Sequence, residues 1–427
     1  MVGKVTKNLC IVSNPFTLVS ILNFMNITFA IIRERKSPPD KRVVLTPKSC
    51  LSFIESFPEA KILVESSDVR AFSDKDYRSV GLKVSNNIKN ADIMIGVKEV
   101  PIESLIPNKS YFFFSHTIKK QPYNRKLLKA ILKKNITLYD HETLVDHNNN
   151  RLIGFGYYAG VVGAYNCVRT IGLKMNCFNI PKACNLDGRH ELDEILKDVN
   201  LPNLKIVLTG TGRVGQGAKE ILDHMQIREV NIQNFLSLDY DETVYVQLDV
   251  LDYVKRNDGL ESSKSDFFKN PFDYQSIFSK FTEVSDVFIA GHFYGKGSPY
   301  FFNRDDAKLS KFKIKVVADI SCDINGPVGS TIRSSTISSP IYGYDPQTES
   351  ESDYNNKNSI AVMAIDNLPC ELPKDSSEEF GKTFINKILP AFFNGDSDGI
   401  LSRSKMTENG KLTPKFSYLQ KYVDGIE

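Results

Sequence analysis

Residues 205–225, KIVLTGTGRVGQGAKEILDHM, constrain the fold of this chain more than any other stretch. Residues 206–210 have the character of a buried strand. Gly210, Gly212 and Gly215 follow in the spacing G-x-G-x-x-G, and Ala218, Ile221, Leu222 and Met225 then recur at helical intervals. Strand, glycine turn and helix in that order let bare backbone approach a pyrophosphate. The helix N-terminus adds unpaired N–H groups and the positive end of its dipole. The glycine spacing alone is weak evidence. With the strand before it and the helix after it, it reads as a dinucleotide-binding turn rather than a structural one.

The sequence upstream alternates in the same way. Strands are predicted at residues 27–32, 60–64, 91–97, 111–115 and 136–139, and helices at 48–57, 74–79 and 121–134. Thr46-Pro47 opens the first helix, because proline suits a first turn. This alternation predicts an α/β domain with a mostly parallel sheet. Arg33, Lys98, His116 and Glu142 each stand just past the C-terminal end of a predicted strand. That edge is where open parallel sheets bind ligands. One charged residue there would be an ordinary solvated loop group. Four at four strand ends form a constellation.

Downstream, Gly160-x-x-Gly163 within an apolar run predicts close helix packing where two domains meet. Residues 230–236 are expected to form the second strand of the nucleotide fold. Such folds place an acidic residue at its end, about 20 residues past the glycines, to hold the adenine ribose. The chain offers Gln233, Asn234 and Phe235 there, with Asp239 and Asp241 only afterwards, so the choice between NAD and NADP is open. The aromatic insertion at 267–281 is expected to be a helical lid burying its rings. Further strands at 285–291, 314–320 and 360–365 end in His292-Phe293-Tyr294, Ser321-Cys322-Asp323 and Asp366-Asn367-Leu368-Pro369. Cys322 has no histidine base nearby in sequence and is read as a small wall residue rather than a nucleophile. Residues 327–359 read as loop. Residues 376–393 read as a helix with Ser376 and Glu379 in a capping pattern.

With 427 residues the chain can hold two or three domains. A net charge of +3, from 54 basic and 51 acidic residues, gives no reason to expect nucleic acid or a membrane surface as partner. Seven scattered cysteines without C-x-x-C suggest neither a disulfide framework nor a metal site, and fit a reducing cytosol. No apolar run is long enough to span a membrane. Residues 1–24 are expected to be an extension, with the folded chain starting at Met25.

The blocks RERKSPPDKRVVLTP, GVKEV, FFFSHTIKKQPYN, LYDHETL, RLIGFGYYAGVVGA, VLTGTGRVGQGA, VVADISCDINGP and AIDNLPCELP occur in that order. Together they resemble the lysine-forming saccharopine dehydrogenase family. They also resemble the lysine–ketoglutarate reductase part of bifunctional lysine-degrading enzymes. More distantly the chain is similar to alanine dehydrogenase and the transhydrogenase nucleotide domain. The resemblance implies two Rossmann-like domains with parallel sheets and an interdomain cleft. Residues 25–150 plus 365–427 would form the substrate domain and 151–364 the dinucleotide domain. The implied reaction is reversible: saccharopine, NAD⁺ and water give lysine, 2-oxoglutarate and NADH.

By position in these blocks, Lys98 matches the family's proton acceptor and His116 its donor. Arg33, Gln121, Arg151, Phe155, Ser321, Cys322 and Asp323 match substrate positions, with Lys119 and Glu142 as charges around the catalytic pair. Gly212 and Arg213 fall at cofactor positions, as do Ile320, Ile365, Asp366, Asn367 and Leu368; Gly210 and Gly215 of the turn, with Asn234 and Phe293 near the ends of predicted strands, are the further cofactor candidates. Oxidising a secondary amine and hydrolysing the imine needs groups that exchange protons near neutral pH, which imidazole and a buried lysine can do. The family's glycine turn is one residue longer in some members, and the aromatic insertion looks closer to the reductase-type members. An alanine- or opine-type dehydrogenase is the alternative enzyme. A non-catalytic NAD-binding regulator is the alternative outside enzymes.

Overall fold

A computed structural model describes residues 27–426 of the chain. The expectation for residues 1–24 lies outside them. The first half folds as β1 (Thr28–Ile31), α1 (Pro47–Ser56), β2 (Lys61–Glu65), α2 (Asp74–Ser79), β3 (Lys83–Ser85), β4 (Ile93–Ile95), β5 (Ser110–Phe113), α3 (Arg125–Lys133) and β6 (Thr137–Asp140). The six strands make one parallel sheet in the order β3-β2-β1-β4-β5-β6. Its apolar strands are covered on both faces, as parallel sheets require. Phe29 and Ile31 pack into one core with Phe53 of α1, while Ala30 and Ile32 pack into another with Leu128 and Ile131 of α3. Thr46 caps α1 as expected, its hydroxyl accepting from Ser49 N at 3.1 Å.

The chain continues through α4 (Gly156–Met175), α5 (Arg189–Lys197), β7 (Lys205–Thr209), α6 (Arg213–His224), β8 (Arg228–Glu229), α7 (Ile232–Ser237), β9 (Val244–Leu248) and α8 (Val250–Tyr253). Then come β10 (Val254–Arg256), α9 (Lys264–Lys269), β11 (Tyr274–Ser276), α10 (Ser279–Thr282), β12 (Val287–Ala290), β13 (Val316–Asp319), β14 (Ile341–Asp345), β15 (Ser350–Ser352), β16 (Ile360–Met363) and α11 (Pro373–Lys387). An eight-stranded sheet has the order β15-β14-β16-β13-β12-β7-β9-β8, parallel from β16 to β8. Helix α4 lies across α6 at very short range: a Cβ on Gly160 would stand 2.0 Å from the Val214 carbonyl oxygen. Gly160 therefore serves the crossing of α4 with α6, whereas Gly163 makes room for Ile320. Helix α11 returns to the first sheet, where Val43 N donates to the Ser377 hydroxyl at 2.9 Å.

Several expectations are corrected. Residues 230–236 do not form a strand. Asn231 caps α7 by accepting from Asn234 N, and Ile232, Phe235 and Leu236 present one helical face. The strand beside β7 is β9, at 244–248. Residues 327–359 are not all loop, because β14 and β15 form an antiparallel hairpin at the sheet edge. Short β3 has no apolar alternation that could announce it. Helix α11 starts at Pro373, three residues before the expected cap. Ser376 lies within it and bonds the Pro369 carbonyl at 3.0 Å. The insertion buries Phe267, Tyr274, Phe278 and Phe281 but leaves Phe268 and Phe272 exposed.

Candidate active site

Strand order brings the first-sheet candidates together. β4, β5 and β6 are neighbours, so Lys98, His116 and Glu142, each just beyond its strand, stand side by side on one sheet edge. His116 holds the left-handed conformation (φ 53°), uncommon for a residue with a side chain and concentrated at functional sites. Its Nδ1 lies 3.2 Å from Glu142 Oε2, and its Nε2 lies 3.9 Å from Glu99 Oε1. The imidazole is thus bracketed by two carboxylates. Glu99 Oε2 is held by Lys36 at 2.9 Å, whereas Glu99 Oε1 is buried with no hydrogen-bond partner among the described residues.

Buried Asp140 sets the geometry beneath this row. Its Oδ2 accepts from Ser115 N at 2.9 Å and its Oδ1 from Glu142 N at 2.7 Å, fixing the neighbours of both His116 and Glu142. Burial by itself would raise Glu142. The His116 hydrogen bond and the charges of Lys119, His116 and Arg151 outweigh it and hold the carboxyl at about 2. Lys119 Nζ is 3.4 Å from Glu142 Oε1 and Arg151 Nη1 is 3.9 Å from it. The adjacent His141 does a different job. It is buried, its Nε2 bonds the Gly96 carbonyl at 2.9 Å, and burial pushes it down to about 3, so it stays neutral and structural.

Lys98 is half-buried beside a second cation. Burial first, and the nearby Arg42 charge second, depress it below the ordinary lysine range, with Asp40 opposing them. Arg42 was not singled out in the sequence, although it lies inside a recognisable block. It is buried, pairs with Asp40 at 2.7 Å, reaches Asn367 Oδ1 at 3.2 Å and lies over the Phe155 ring at 4.1 Å. Phe155 itself stacks on Phe380. Lys98 and Asp40 share with Asp366, Asn367 and Ser335 a cavity of about 900 Å³ between the two sheets.

The glycine turn forms a second cavity of about 450 Å³, with Arg151 and Phe155 on its wall. Each glycine has its own reason. Gly210 has φ +95° and backs onto the Gly291 carbonyl, and a Cβ on Gly215 would stand 1.9 Å from the Gly210 carbonyl oxygen. A Cβ on Gly212 would meet nothing within 4 Å. Tight turn, open approach and close helix contact are the three roles a pyrophosphate cradle asks of its glycines. Gly212 caps α6 without any side-chain bond, leaving the first N–H groups of a 12-residue helix for an anion. These residues fit a dinucleotide. Arg213 Nη2 bonds the Arg151 carbonyl at 3.3 Å, so the cradle connects directly to the Glu142–His116 row.

The remaining candidates divide. Phe293 is 76% exposed at the cradle mouth, with Phe268 (57% exposed) on the same cavity. Ser321 and Cys322 cluster on buried Asp319: the Ser321 hydroxyl donates at 2.6 Å and Cys322 N at 3.1 Å. Burial raises the Cys322 thiol to about 12, which suits a wall residue, and burial with Asp319 lifts Asp323 to about 6. Ile320, Ile365 and Leu368 are core residues, Ile320 filling the space left by Gly163. Gln121 is exposed and its carbonyl accepts from Tyr422. Arg33 is exposed and lines neither cavity; only its backbone is engaged, its N–H on Glu65 Oε2 at 2.9 Å. Asn234 is exposed on α7. The end of that helix at Leu238 bonds Lys205 at the start of β7, the sheet edge opposite the cradle. An acidic residue, Asp249, does stand at the end of β9 and on the cradle cavity. The inserted β8–α7 segment delays it beyond the usual spacing.

The description "Alanine dehydrogenase/PNT, N-terminal domain" matches residues 30–162. Alpha-aminoadipic semialdehyde synthase of Mus musculus is 29% identical over 450 residues, covering 93% of this chain and 48% of its own. The chain thus spans about half the length of such relatives. Saccharopine dehydrogenase [NAD(+), L-lysine-forming] of Yarrowia lipolytica is 27% identical over 380 residues, covering 84% of this chain and 90% of its own. The solved structure of an L-alanine dehydrogenase superposes with a TM-score of 0.61 at 15% identity, covering 93% of this chain and all of that one. The resemblance read from the motifs is therefore borne out: the chain has the α/β fold of L-alanine dehydrogenase and is similar along most of its length to saccharopine dehydrogenases.

Proposed function

We propose that this chain is a nicotinamide-dependent oxidoreductase of the CH–NH group that reversibly cleaves saccharopine to lysine and 2-oxoglutarate. The observation that best supports this is the row Lys98, His116 and Glu142 on three adjacent strand ends, tied through Arg151 and Arg213 to the glycine cradle. A bound nicotinamide would supply the hydride acceptor or donor. Neutral Lys98 takes the proton from the secondary amine as it is oxidised. His116, oriented by Glu142, protonates the departing amine after water has added to the imine. Arg42 and Arg151 are the cations placed to orient a substrate rich in carboxylates. On this reading the first sheet with the returning C-terminal segment carries substrate, and the second sheet carries cofactor.

The purified protein is expected to oxidise NADH only when lysine and 2-oxoglutarate are both present. Turnover with pyruvate and ammonia instead would support an alanine-type enzyme, which the fold likeness alone favours. Absence of turnover with every pair would overturn the oxidoreductase reading.

We infer further that NAD is preferred over NADP. Asp249 lines the cradle cavity at the end of β9, and its carboxylate, which also pairs with Lys264 and caps α8, would accept from ribose hydroxyls and not from a 2′-phosphate. NADH should exceed NADPH in kcat/KM by about tenfold or more. Asp249→Asn should shrink that ratio; an unchanged ratio removes Asp249 from the assignment.

Among the described residues no helix is long and apolar enough to cross a membrane. Fractionation of cells making the protein tests the cytosolic placement suggested by its cysteines, against the mitochondrial name of the mouse relative.

A further inference from the structure

Beneath Lys98 is an arrangement that the reaction itself does not require. Where β1 ends, the Glu34 side chain turns inward. Its Oε1 accepts from Val97 N at 2.7 Å and its Oε2 from Lys98 N at 2.9 Å. The two carboxylate oxygens thus take two successive amides at the end of β4. The preceding residue is held as well: Gly96 N donates to the Phe112 carbonyl at 2.8 Å, and the Gly96 carbonyl accepts from His141. A Cβ at Gly96 would stand 2.8 Å from Ile32, so the β1 and β4 ends touch without a side chain between them. Lys98 therefore leaves the sheet from a backbone pinned on three sides. A free strand end would let its long side chain swing toward water.

We propose that Glu34 is a positioning residue for Lys98: by clamping the amides of Val97 and Lys98 it keeps the lysine ammonium in the buried part of the cleft beside Arg42. The charged groups around this pair are few. Asp40 and Arg42 face Glu34, and Arg42, Asp40, Lys36 and the Cys370 thiol face Lys98. What Glu34 holds directly is the backbone of Val97 and Lys98. Burial is the main influence lifting Glu34 to about 7, with the Val97 amide opposing it. The clamp loses an acceptor when that carboxyl is protonated.

The role of Lys98 in turnover rests on the proposed dehydrogenase reading, but its placement can be measured without turnover. Lys98 reactivity toward acetic anhydride, followed by mass spectrometry across pH, reports its titration midpoint in the full-length protein. Glu34→Gln keeps one acceptor and sets an amide NH₂ against the second N–H. It should move the Lys98 midpoint up, toward the ordinary lysine range, and lower kcat with lysine and 2-oxoglutarate about tenfold, while NADH affinity holds. Glu34→Asp keeps the charge but is too short to span both amides, so it should shift the midpoint the same way by less. Either variant folding with the midpoint of the wild-type protein overturns the proposal, as does a loss of thermal stability alone. A midpoint shift in a protein with no turnover on any substrate pair would uphold the clamp and reject the dehydrogenase reading.

Discussion

Lys98→Met and His116→Ala should each lower kcat by about 100- to 10,000-fold while NADH affinity changes little. The size of the effect follows from what the proposed reaction asks of each group. Oxidation of an amine requires its proton to leave, and release of lysine from the hydrated imine requires one to return. Without the positioned acceptor or donor, water must do both. Lys98 can accept because burial and Arg42 depress it, so its neutral form is populated at lower pH than for a surface lysine. The sign of the pH effect follows directly. Oxidation should rise with pH as Lys98 loses its proton, beginning below the ordinary lysine range, and Lys98→Met should erase that limb. Single-turnover kinetics across pH, with NADH binding measured by calorimetry, separate chemistry from affinity. Full activity in either variant would remove that residue from the mechanism.

Gly215→Ala should cost the protein both stability and cofactor, whereas Gly212→Ala should cost cofactor alone. At Gly215 the added methyl would stand 1.9 Å from the Gly210 carbonyl oxygen, so α6 must shift away from the turn. Overpacking of that kind costs about 1–3 kcal/mol, and the displaced N–H groups should weaken NADH binding tenfold or more, at about 1.4 kcal/mol per tenfold. At Gly212 the backbone is extended and nothing lies within 4 Å, so alanine is free of strain in the empty protein. It would instead occupy the approach of the pyrophosphate. Thermal unfolding of both variants, beside NADH titrations, gives the contrast. Equal loss of stability would show that the open face of Gly212 is not where the cofactor lies.

The two halves of the site differed in how far they could be read from sequence. Lys98, His116 and Glu142 were recognisable because each follows an apolar run, and local strand endings are written in neighbouring residues. That they stand side by side depends on β4, β5 and β6 being adjacent in the sheet, which pairing decides. Asp249, the residue proposed to meet the adenine ribose, lies beyond the usual spacing because β8 and α7 stand between the glycine turn and β9. Asn234 stands at the position to which the usual spacing points. Its segment has apolar residues compatible with a strand, but Asn231 caps a helix there instead. Arg33 and Arg42 differ in burial for a related reason. Both are arginines in one short block, and only the fold of residues 33–47 buries Arg42 against Phe155 and leaves Arg33 exposed.

The sequence by itself determined the alternation of strands and helices, the glycine cradle and the kinds of ionisable group at the strand ends. These are local matters of periodicity, capping and turn chemistry. Only the tertiary structure decided which charges meet, because burial and pairing depend on residues far apart in the chain. The Arg42–Asn367 contact spans 325 positions, and the Glu34 clamp on Lys98 spans 64. Whether a lysine is an exposed cation or a buried base is set by those partners.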